Sequence, residues 1–522
     1  MSNSEKIIQI QPHGRQIKMM AGMNLLEALM QKSIFLRSDC GGKGKCGKCL
    51  VSKATDNGSY ETIESCMYIV NEDISIKIPE SSMLSSHIMS KASVYFPKVF
   101  KEQFLNVEIP DSYGIAVDLG TTTIAVYLCN MAQGKVVSSL AVKNPQAIYG
   151  DDVVSRIGVI SQSSENLEKL QKLVVKSIEW GIIELLSSFE NGKNSISRMT
   201  AVGNPTMIHI LAGVNPESIG ISPYEPAFYD AKLFESNQLG FGINNVSIQT
   251  LPQVSGFIGS DILAAAQAVE FEKQPDGTLL IDLGTNGELL LKNREKIFAT
   301  SCATGPAFEG ASLSCGMQAI PGAINSIKID SDNNNAGYSI INPEQLSIIK
   351  PSGICGAGVI KSIAQFCEKK IIAPSGAFRS DRKKYILVPE NSDNGQSCIY
   401  ISQKDIRSVQ LGKSALITGI KFLLKKADLD QPEKIIIAGA FGSHLDKLDL
   451  IKLGMIPKID LDKIEIAGNS AGTGAIMTLC DDHYLDKSKQ MADRIETVDL
   501  ATNIDFQEAF IKNLSFPDEK IK

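Results

Sequence analysis

Two kinds of hydrophobic pattern run along the chain, and they set its elements. In residues 1–80 apolar and polar positions alternate in short runs. Lys6 to Ile10 and Arg15 to Met20 read as a hairpin around Pro12-His13-Gly14, and Met23 to Gln31 as a short helix with Leu25, Leu26 and Leu29 apolar. A glycine-rich loop follows, then a strand from Cys49 to Lys53, a turn at Asp56-Asn57-Gly58 and a last alternating strand from Ile74 to Ile78. From Ser81 to Pro110 serines interrupt the pattern and Pro97 and Pro110 punctuate it. This predicts a linker of about thirty residues, a flexible chain spanning roughly 30 Å, long enough to let the first domain swing.

At Tyr113 the runs become continuously apolar. Gly114 to Leu128, GIAVDLGTTTIAVYL, reads as strand, turn and strand. The same figure returns at Leu279 to Leu291, LLIDLGTNGELLL, with Asp282 in the place of Asp118. Two copies imply two similarly folded halves. A third apolar run, Lys434 to Leu445, reads as a buried strand ending in the turn Gly439-Ala440-Phe441-Gly442. The expected organisation is a first domain over 1–80, a linker over 81–110, and two halves of one larger domain over 111–272 and 273–522.

Composition narrows the function. A chain of 522 residues is too long for one core. With 43% hydrophobic and 21% charged residues it reads as ordinary and globular, and a net charge of -6 gives no reason to expect nucleic acid or an anionic membrane as partner. The N-terminus has no apolar signal core and no run approaches the ~18 apolar residues of a membrane span, so a cytoplasmic protein is expected. Its eleven cysteines then point to a reducing compartment rather than to disulfides.

Four of those cysteines form a pattern. Asp39 to Cys49, DCGGKGKCGKC, spaces Cys40, Cys46 and Cys49 as C-x5-C-x2-C, and Cys66 follows after sixteen residues. The spacing reads as a four-thiolate site. Iron–sulfur ligation needs thiolates together with glycines that let the backbone wrap closely. Structural zinc is the competing reading, although zinc sites ordinarily use two close pairs and only one exists here. Lys43, Lys45 and Lys48 flank the loop and either steer an acidic partner or form a solvated rim. The other seven cysteines share no ligand spacing; Cys302, Cys315 and Cys355 read as small buried residues at tight turns. His209 reads as a core or inter-helix contact.

The repeated turn carries phosphate chemistry. Glycine removes the Cβ that would block a phosphate, backbone N–H groups and threonine hydroxyls donate, and an aspartate at the strand end holds Mg²⁺ through water. One such turn is ordinary hairpin punctuation; two facing copies clasp one triphosphate tail. The glycine turn after Ala438 suits a flat adenine ring. Glu288 either polarises water or places Mg²⁺, or is a solvated hairpin charge. Gly468 to Gly474 either opens a nucleotide-side helix or marks close helix–strand packing.

The first domain resembles a small β-grasp 2Fe-2S ferredoxin, with Cys40, Cys46, Cys49 and Cys66 in the ligand positions and a shorter interval before Cys66 than in adrenodoxin-like members. The three glycine motifs resemble those of the actin, sugar kinase, acetate kinase and heat-shock chaperone superfamily. That resemblance implies an α/β multidomain chain in which the ferredoxin precedes a two-lobed actin-like or acetate-kinase-like ATPase fold. By it Asp118, Gly120, Thr121, Thr122 and Thr123 form the first phosphate motif, Asp282, Gly284, Thr285, Asn286 and Gly287 the second, and Gly439, Ala440, Phe441 and Gly442 the adenosine site.

The whole arrangement resembles the reductive activators of corrinoid proteins. Gly203 to Met207, Ala303 to Gly310, Gly353 to Gly356, Asp405 to Gln410 and the tail Arg494 to Pro517 look like that family's segments in order. The resemblance implies an ATP-hydrolysing activase that carries a low-potential electron from a 2Fe-2S cluster to the Co(II) corrinoid of a methyl-carrier protein, restoring Co(I) for methyl transfer. ATP and Mg²⁺ are the further cofactors. A low-potential ferredoxin, flavodoxin or reductase is the implied donor and a homodimer the implied assembly. One departure is expected: a middle domain carried by larger activators ahead of the first phosphate motif finds no room in the linker. The alternatives are an ATP-coupled donor to another redox enzyme, an electron carrier with a regulatory nucleotide site, a small-molecule kinase, and a dehydratase activator, whose cluster lies between two subunits.

Overall fold

The computed structural model describes residues 5–12, 14–38, 41–44, 47–79, 82–83, 113–131, 134–187, 196–310, 313–319, 321–330, 336–342, 349–391, 396–439, 445–500 and 503–518. The N-terminal domain holds β1 (Glu5–Gln11), β2 (Arg15–Met20), α1 (Leu25–Met30), β3 (Leu50–Ala54), β4 (Tyr60–Glu64) and β5 (Ile74–Lys77). Their sheet runs β2-β1-β5-β3-β4, with β1 antiparallel to β2 and parallel to β5. Ile8, Ile17, Val51 and Ile76 point inward against Leu25, Leu26 and Leu29 of α1, as the alternation required. The helix starts two residues later than expected. Met23–Asn24 pairs with Ile69–Val70 as a short strand, and the Asn24 side chain caps α1 by accepting from the Leu26 and Glu27 N–H groups at 3.0 and 3.3 Å.

The first half of the larger domain contains β6 (Tyr113–Leu119), β7 (Thr123–Asn130), β8 (Lys135–Lys143), α2 (Val153–Ile160), α3 (Ser164–Leu186), β9 (Ile196–Val202), α4 (Pro205–Leu211), β10 (Leu233–Glu235), β11 (Ser247–Thr250) and α5 (Ser260–Ala268). The second contains β12 (Thr278–Leu283), β13 (Gly287–Asn293), β14 (Lys296–Cys302), α6 (Gly356–Glu368), α7 (Gln403–Lys426), β15 (Lys434–Ala438), β16 (Ile464–Gly468), α8 (Ser470–Cys480) and β17 (Ile495–Thr497). The sheets run β8-β7-β6-β9-β11-β10 and β16-β15-β12-β13-β14-β17.

Their wiring is the same. In each, the leading strand is central, its next two strands follow antiparallel on one side, and the two later strands add in parallel on the other. The repeated Asp-Leu-Gly-Thr turn therefore opens two copies of one unit. Ile115, Ala116 and Val117, like Leu279, Leu280 and Ile281, are buried on both faces, which is why these strands read as continuous apolar runs.

The helices that follow the last shared strand of each half, α5 and α8, pack on each other. A Cβ on Gly474 would overlap the Ala264 backbone of α5, and one on Gly472 would lie 2.5 Å from the Tyr127 hydroxyl. The glycine run there thus serves close packing between the halves as well as opening a helix.

The ferredoxin is seated on the first half. Leu173 of α3 is buried in the ferredoxin core, and Trp180 meets Phe35 edge to face at 5.9 Å between ring centres. The Tyr149 hydroxyl donates to Glu27, and Lys43 pairs with Asp151. Of the linker expected over 81–110, only Ser82 and Met83 are described; the Arg37 N–H donates to the Ser82 carbonyl at 2.9 Å.

Candidate nucleotide and cluster sites

Of the four expected cluster ligands, Cys40 and Cys46 lie outside the described residues, while Cys49 and Cys66 are buried. The short interval between the latter is one tight hairpin. Leu50 at the start of β3 faces Glu64 at the end of β4, and the Ser65 N–H donates to the Cys49 carbonyl at 3.0 Å. Asn24 holds the Cys66 carbonyl at 2.6 Å, tying that ligand to the cap of α1. Gly41, Gly42, Gly44 and Gly47 all have φ between 58° and 78°, the left-handed region that favours glycine. A loop of such turns with the buried thiols of Cys49 and Cys66 at its base fits a 2Fe-2S cluster.

The phosphate motifs meet across the cleft. Asp118 is the last residue but one of β6, and Asp282 holds the same place in β12. Gly120 is required by a close approach, since a Cβ there would sit 2.6 Å from the Thr123 carbonyl. Thr121 accepts from Asn204 at 2.9 Å and Thr123 from Gln318 at 3.1 Å. The Thr122 and Thr285 hydroxyls lie 2.8 Å apart, and both donate to Glu309, at 2.8 and 2.6 Å. Two turns 163 residues apart in sequence are thus in direct contact.

In the second turn the Gly284 N–H donates to the Asn286 carbonyl at 3.0 Å, and a Cβ on Gly287 would lie 2.9 Å from the Thr304 methyl. Gly439 has φ 102°, and a Cβ would overlap the Leu283 carbonyl and approach Asp282 Oδ1 to 3.0 Å. Its strand β15 runs beside β12, with Ala438 opposite Asp282. The turn expected to receive adenosine therefore starts next to the second Asp-Leu-Gly-Thr turn; Ala440, Phe441 and Gly442 lie outside the described residues.

Glu288 is 6% exposed and faces Asp282 across the β12–β13 hairpin, so the reading of it as a solvated charge is corrected. It shares a hydrogen bond with Asp261, in the first turn of α5, a residue that sequence reasoning missed. Asp118, Asp261, Asp282, Glu288 and Glu309 form one acidic group, with Glu288 buried and the other four half-buried. Burial holds Asp118 up to about 7 and Asp261 up to about 6. Burial first, then neighbouring carboxylates, push Asp282 and Glu288 well above the usual range. Burial also raises Glu309, against the two threonine hydroxyls.

Asn469 lies inside the glycine run between β16 and α8. Its side chain donates to Asp118 Oδ2 at 2.8 Å and lies 2.9 Å from the Tyr127 hydroxyl, joining the start of α8 to the other half. No local signal marks Asp261, Glu309 or Asn469, because each acts on a segment remote in sequence. Cys302 and Cys355 are buried, as expected, and burial pushes the Cys302 thiol up to about 12. His209 is a core contact: Nδ1 lies 2.7 Å from the Pro205 carbonyl, Nε2 accepts from the Ala227 N–H at 3.0 Å, and the ring stacks on Phe228.

Three family models match successive parts of the chain. The 2Fe-2S iron-sulfur cluster binding domain covers 8–69, the RACo middle region 113–274, and the C-terminal domain of RACo, the ASKHA domain, 276–522. The segment that the family model calls the middle region begins at 113 and carries the first Asp-Leu-Gly-Thr turn, so it lies after the interval in which a separate domain was expected to be missing. The chain is 28% identical over 568 aligned residues to the corrinoid activation enzyme RamQ of Eubacterium limosum, covering 92% of this chain and 94% of that one. It is 25% identical over 443 residues to a reductase of the Co(II) methylated amine-specific corrinoid protein of Methanosarcina barkeri, covering 77% of each. A solved reductive activator for corrinoid, iron-sulfur protein superposes with a TM-score of 0.72 at 25% identity, over 98% of both chains. With a ferredoxin seated on a two-half fold whose phosphate turns face each other, and with these relatives along nearly its whole length, the chain belongs to the family of reductive activators of corrinoid proteins.

Proposed function

We propose that this protein is an ATP-dependent activase that delivers a low-potential electron to the Co(II) corrinoid of a methyl-carrier protein and so restores Co(I). The observation that carries the reading is the direct contact of the two phosphate turns, Thr122 against Thr285, in a chain that also seats a ferredoxin on the first half. In this reading the triphosphate tail enters between the turns and takes over the hydroxyls of Thr121, Thr122 and Thr285, while the turn at Gly439 receives the adenosine.

Among the described residues no three acidic, histidine or cysteine side chains converge tightly enough to ligate one ion directly. Mg²⁺ is therefore assigned to phosphate oxygens and to waters held by Asp118 and Asp282, the usual habit of that ion. Asn469 orients Asp118 for this task. Asp261, held by Glu288 and raised by burial to about 6, is assigned to orient and deprotonate the attacking water.

When bound by Cys40, Cys46, Cys49 and Cys66, a 2Fe-2S cluster supplies one electron near about −400 mV. Each 100 mV of uphill one-electron transfer costs about 2.3 kcal/mol. Closure of the halves on nucleotide supplies that energy by changing how tightly the protein holds its partner in one redox state. A low-potential ferredoxin, flavodoxin or reductase loads the chain, in the cytoplasm, and a second copy completes the assembly; among the described residues no helix is long and apolar enough to cross a membrane.

The test follows ATP hydrolysis and the visible spectrum of a Co(II) corrinoid carrier together, with reduced protein under anaerobic conditions. Co(I) appearing only with ATP, with hydrolysis rising when the carrier is added, is the expected result. Equal Co(I) without ATP sinks the coupling, and Cys66→Ala is expected to leave hydrolysis but no Co(I).

A further inference from the structure

The first phosphate turn is tied to the ferredoxin by one short segment, Asn144 to Arg156. Three successive carbonyls of that turn are held from behind by it. Asn144 Nδ2 donates to the Gly120 carbonyl at 3.0 Å, a guanidinium N–H of Arg156 to the Thr121 carbonyl at 2.6 Å, and the Asn144 backbone N–H to the Thr122 carbonyl at 2.8 Å. Arg156 and Asn144 are fully buried. The same guanidinium donates to Gln146 at 2.9 Å and to the Gly150 carbonyl at 3.0 Å, so it bridges the turn to the middle of the segment.

The outer side of this segment is the seat of the cluster loop. An ideal Cβ on Gly41 would stand 3.1 Å from Ala147 Cβ, and one on Gly42 would stand 2.9 Å from the Ile148 side chain. Tyr149 and Asp151 then hold Glu27 and Lys43 of the ferredoxin. Residues that contact the loop around the cluster ligands are thus at most a few positions from residues that hold the phosphate turn.

We propose that Arg156, with Asn144 and Gln146, positions the first phosphate turn and the ferredoxin seat as one linked unit, so that a bound nucleoside triphosphate loosens the ferredoxin. The inference rests on the nucleotide reading above and adds what the nucleotide does. Its sign follows from the contacts. The Thr122 and Thr285 hydroxyls lie 2.8 Å apart and both donate to Glu309, and a triphosphate entering there must take those hydroxyls and displace the turn. The segment follows because it holds the carbonyls of that turn. The edge of the cluster loop now facing Ala147 and Ile148 is then freed for a partner. Linkage is reciprocal: loosening the ferredoxin by other means must tighten nucleotide binding by the same factor.

Trp180, the only tryptophan of the chain, lies at the seat against Phe35 and reports docking. The experiment measures acrylamide quenching of Trp180 in the cluster-loaded, full-length protein, with and without a non-hydrolysable MgATP analogue whose binding is followed separately by calorimetry. The analogue is expected to raise the quenching constant. In Arg156→Lys and in Gln146→Met it is expected to bind but to leave Trp180 unchanged. Lys43→Ala with Tyr149→Phe, at the far end of the segment and away from the fully buried arginine, is expected to tighten the analogue by roughly 5-fold or more, the lower range of such couplings. If the analogue binds and Trp180 does not respond, or if the far-end variant leaves its affinity unchanged, the linkage is wrong and the nucleotide reading stands. If the analogue does not bind at all, both are overturned.

Discussion

Replacing Asp118 by asparagine separates the stability of the empty cleft from its use. Burial lifts this carboxyl from its ordinary 3.8 to about 7. A raised carboxyl pKa means stability that is fully present below the ordinary value and is lost as the pH rises through about 7. At about 1.36 kcal/mol per pKa unit, the ionised side chain costs the nucleotide-free fold at most about 4 kcal/mol near pH 8. Water entering the cleft lowers this, and a gain of roughly 2 kcal/mol on removing the charge is the working figure. Asparagine keeps an acceptor for the Asn469 side chain and has no charge to desolvate. The nucleotide-free variant is therefore expected to melt roughly 2–3 °C above the parent near pH 8, by the usual scaling for a domain of about 400 residues. The gap should narrow as the pH falls below about 7 and shrink toward zero only at the ordinary 3.8, where the unfolded chain's carboxyl is neutral as well. Added Mg²⁺ and ATP should stabilise the parent more than the variant, since the parent alone holds the charge that the cation compensates. Thermal melts over pH 5 to 8, with and without Mg²⁺ and ATP, make the measurement. A variant that melts below the parent near pH 8 without nucleotide, or a pH slope identical in the two proteins, would refute the reasoning.

Other substitutions probe single contacts. Asp261→Asn is expected to slow ATP hydrolysis by about 10²–10⁴-fold while MgATP binding by calorimetry persists; a wild-type turnover number removes Asp261 from the water-orienting role. Gly474→Ala would drive a methyl group into the Ala264 backbone, and a loss of about 1–3 kcal/mol is expected in denaturant unfolding of the larger domain, against a null result if α5 and α8 separate freely. Asn24→Ala removes the cap of α1 and the bond to the Cys66 carbonyl together. It should cost the ferredoxin about 1–2 kcal/mol and speed loss of the visible cluster spectrum under chelator, whereas unchanged decay would mean the Cys66 turn is held otherwise.

Much of the architecture is written in short stretches of sequence because its causes are local. Alternation in β1 and β2 follows from one buried face, and the apolar runs of β6 and β12 from two. The glycines at 41, 42, 44 and 47 are needed for left-handed turns whatever lies beyond them, and Gly120 for a carbonyl only three residues away. The repeated Asp-Leu-Gly-Thr turn announced two like halves, since it is a statement about neighbours along one chain. Tertiary structure alone decided what stands opposite those turns. Asn469 reaches Asp118 across 351 residues, Glu309 receives hydroxyls from both halves, and Asp261 joins Glu288 because α5 of one half starts at a hairpin of the other. Arg156 reads as an ordinary helix residue until the fold places it behind Thr121, and α3 as an ordinary amphipathic helix until the ferredoxin covers Leu173. A side chain's partner across a cleft leaves no trace in its own periodicity, because burial in a fold is set by which surfaces meet and not by spacing along the chain.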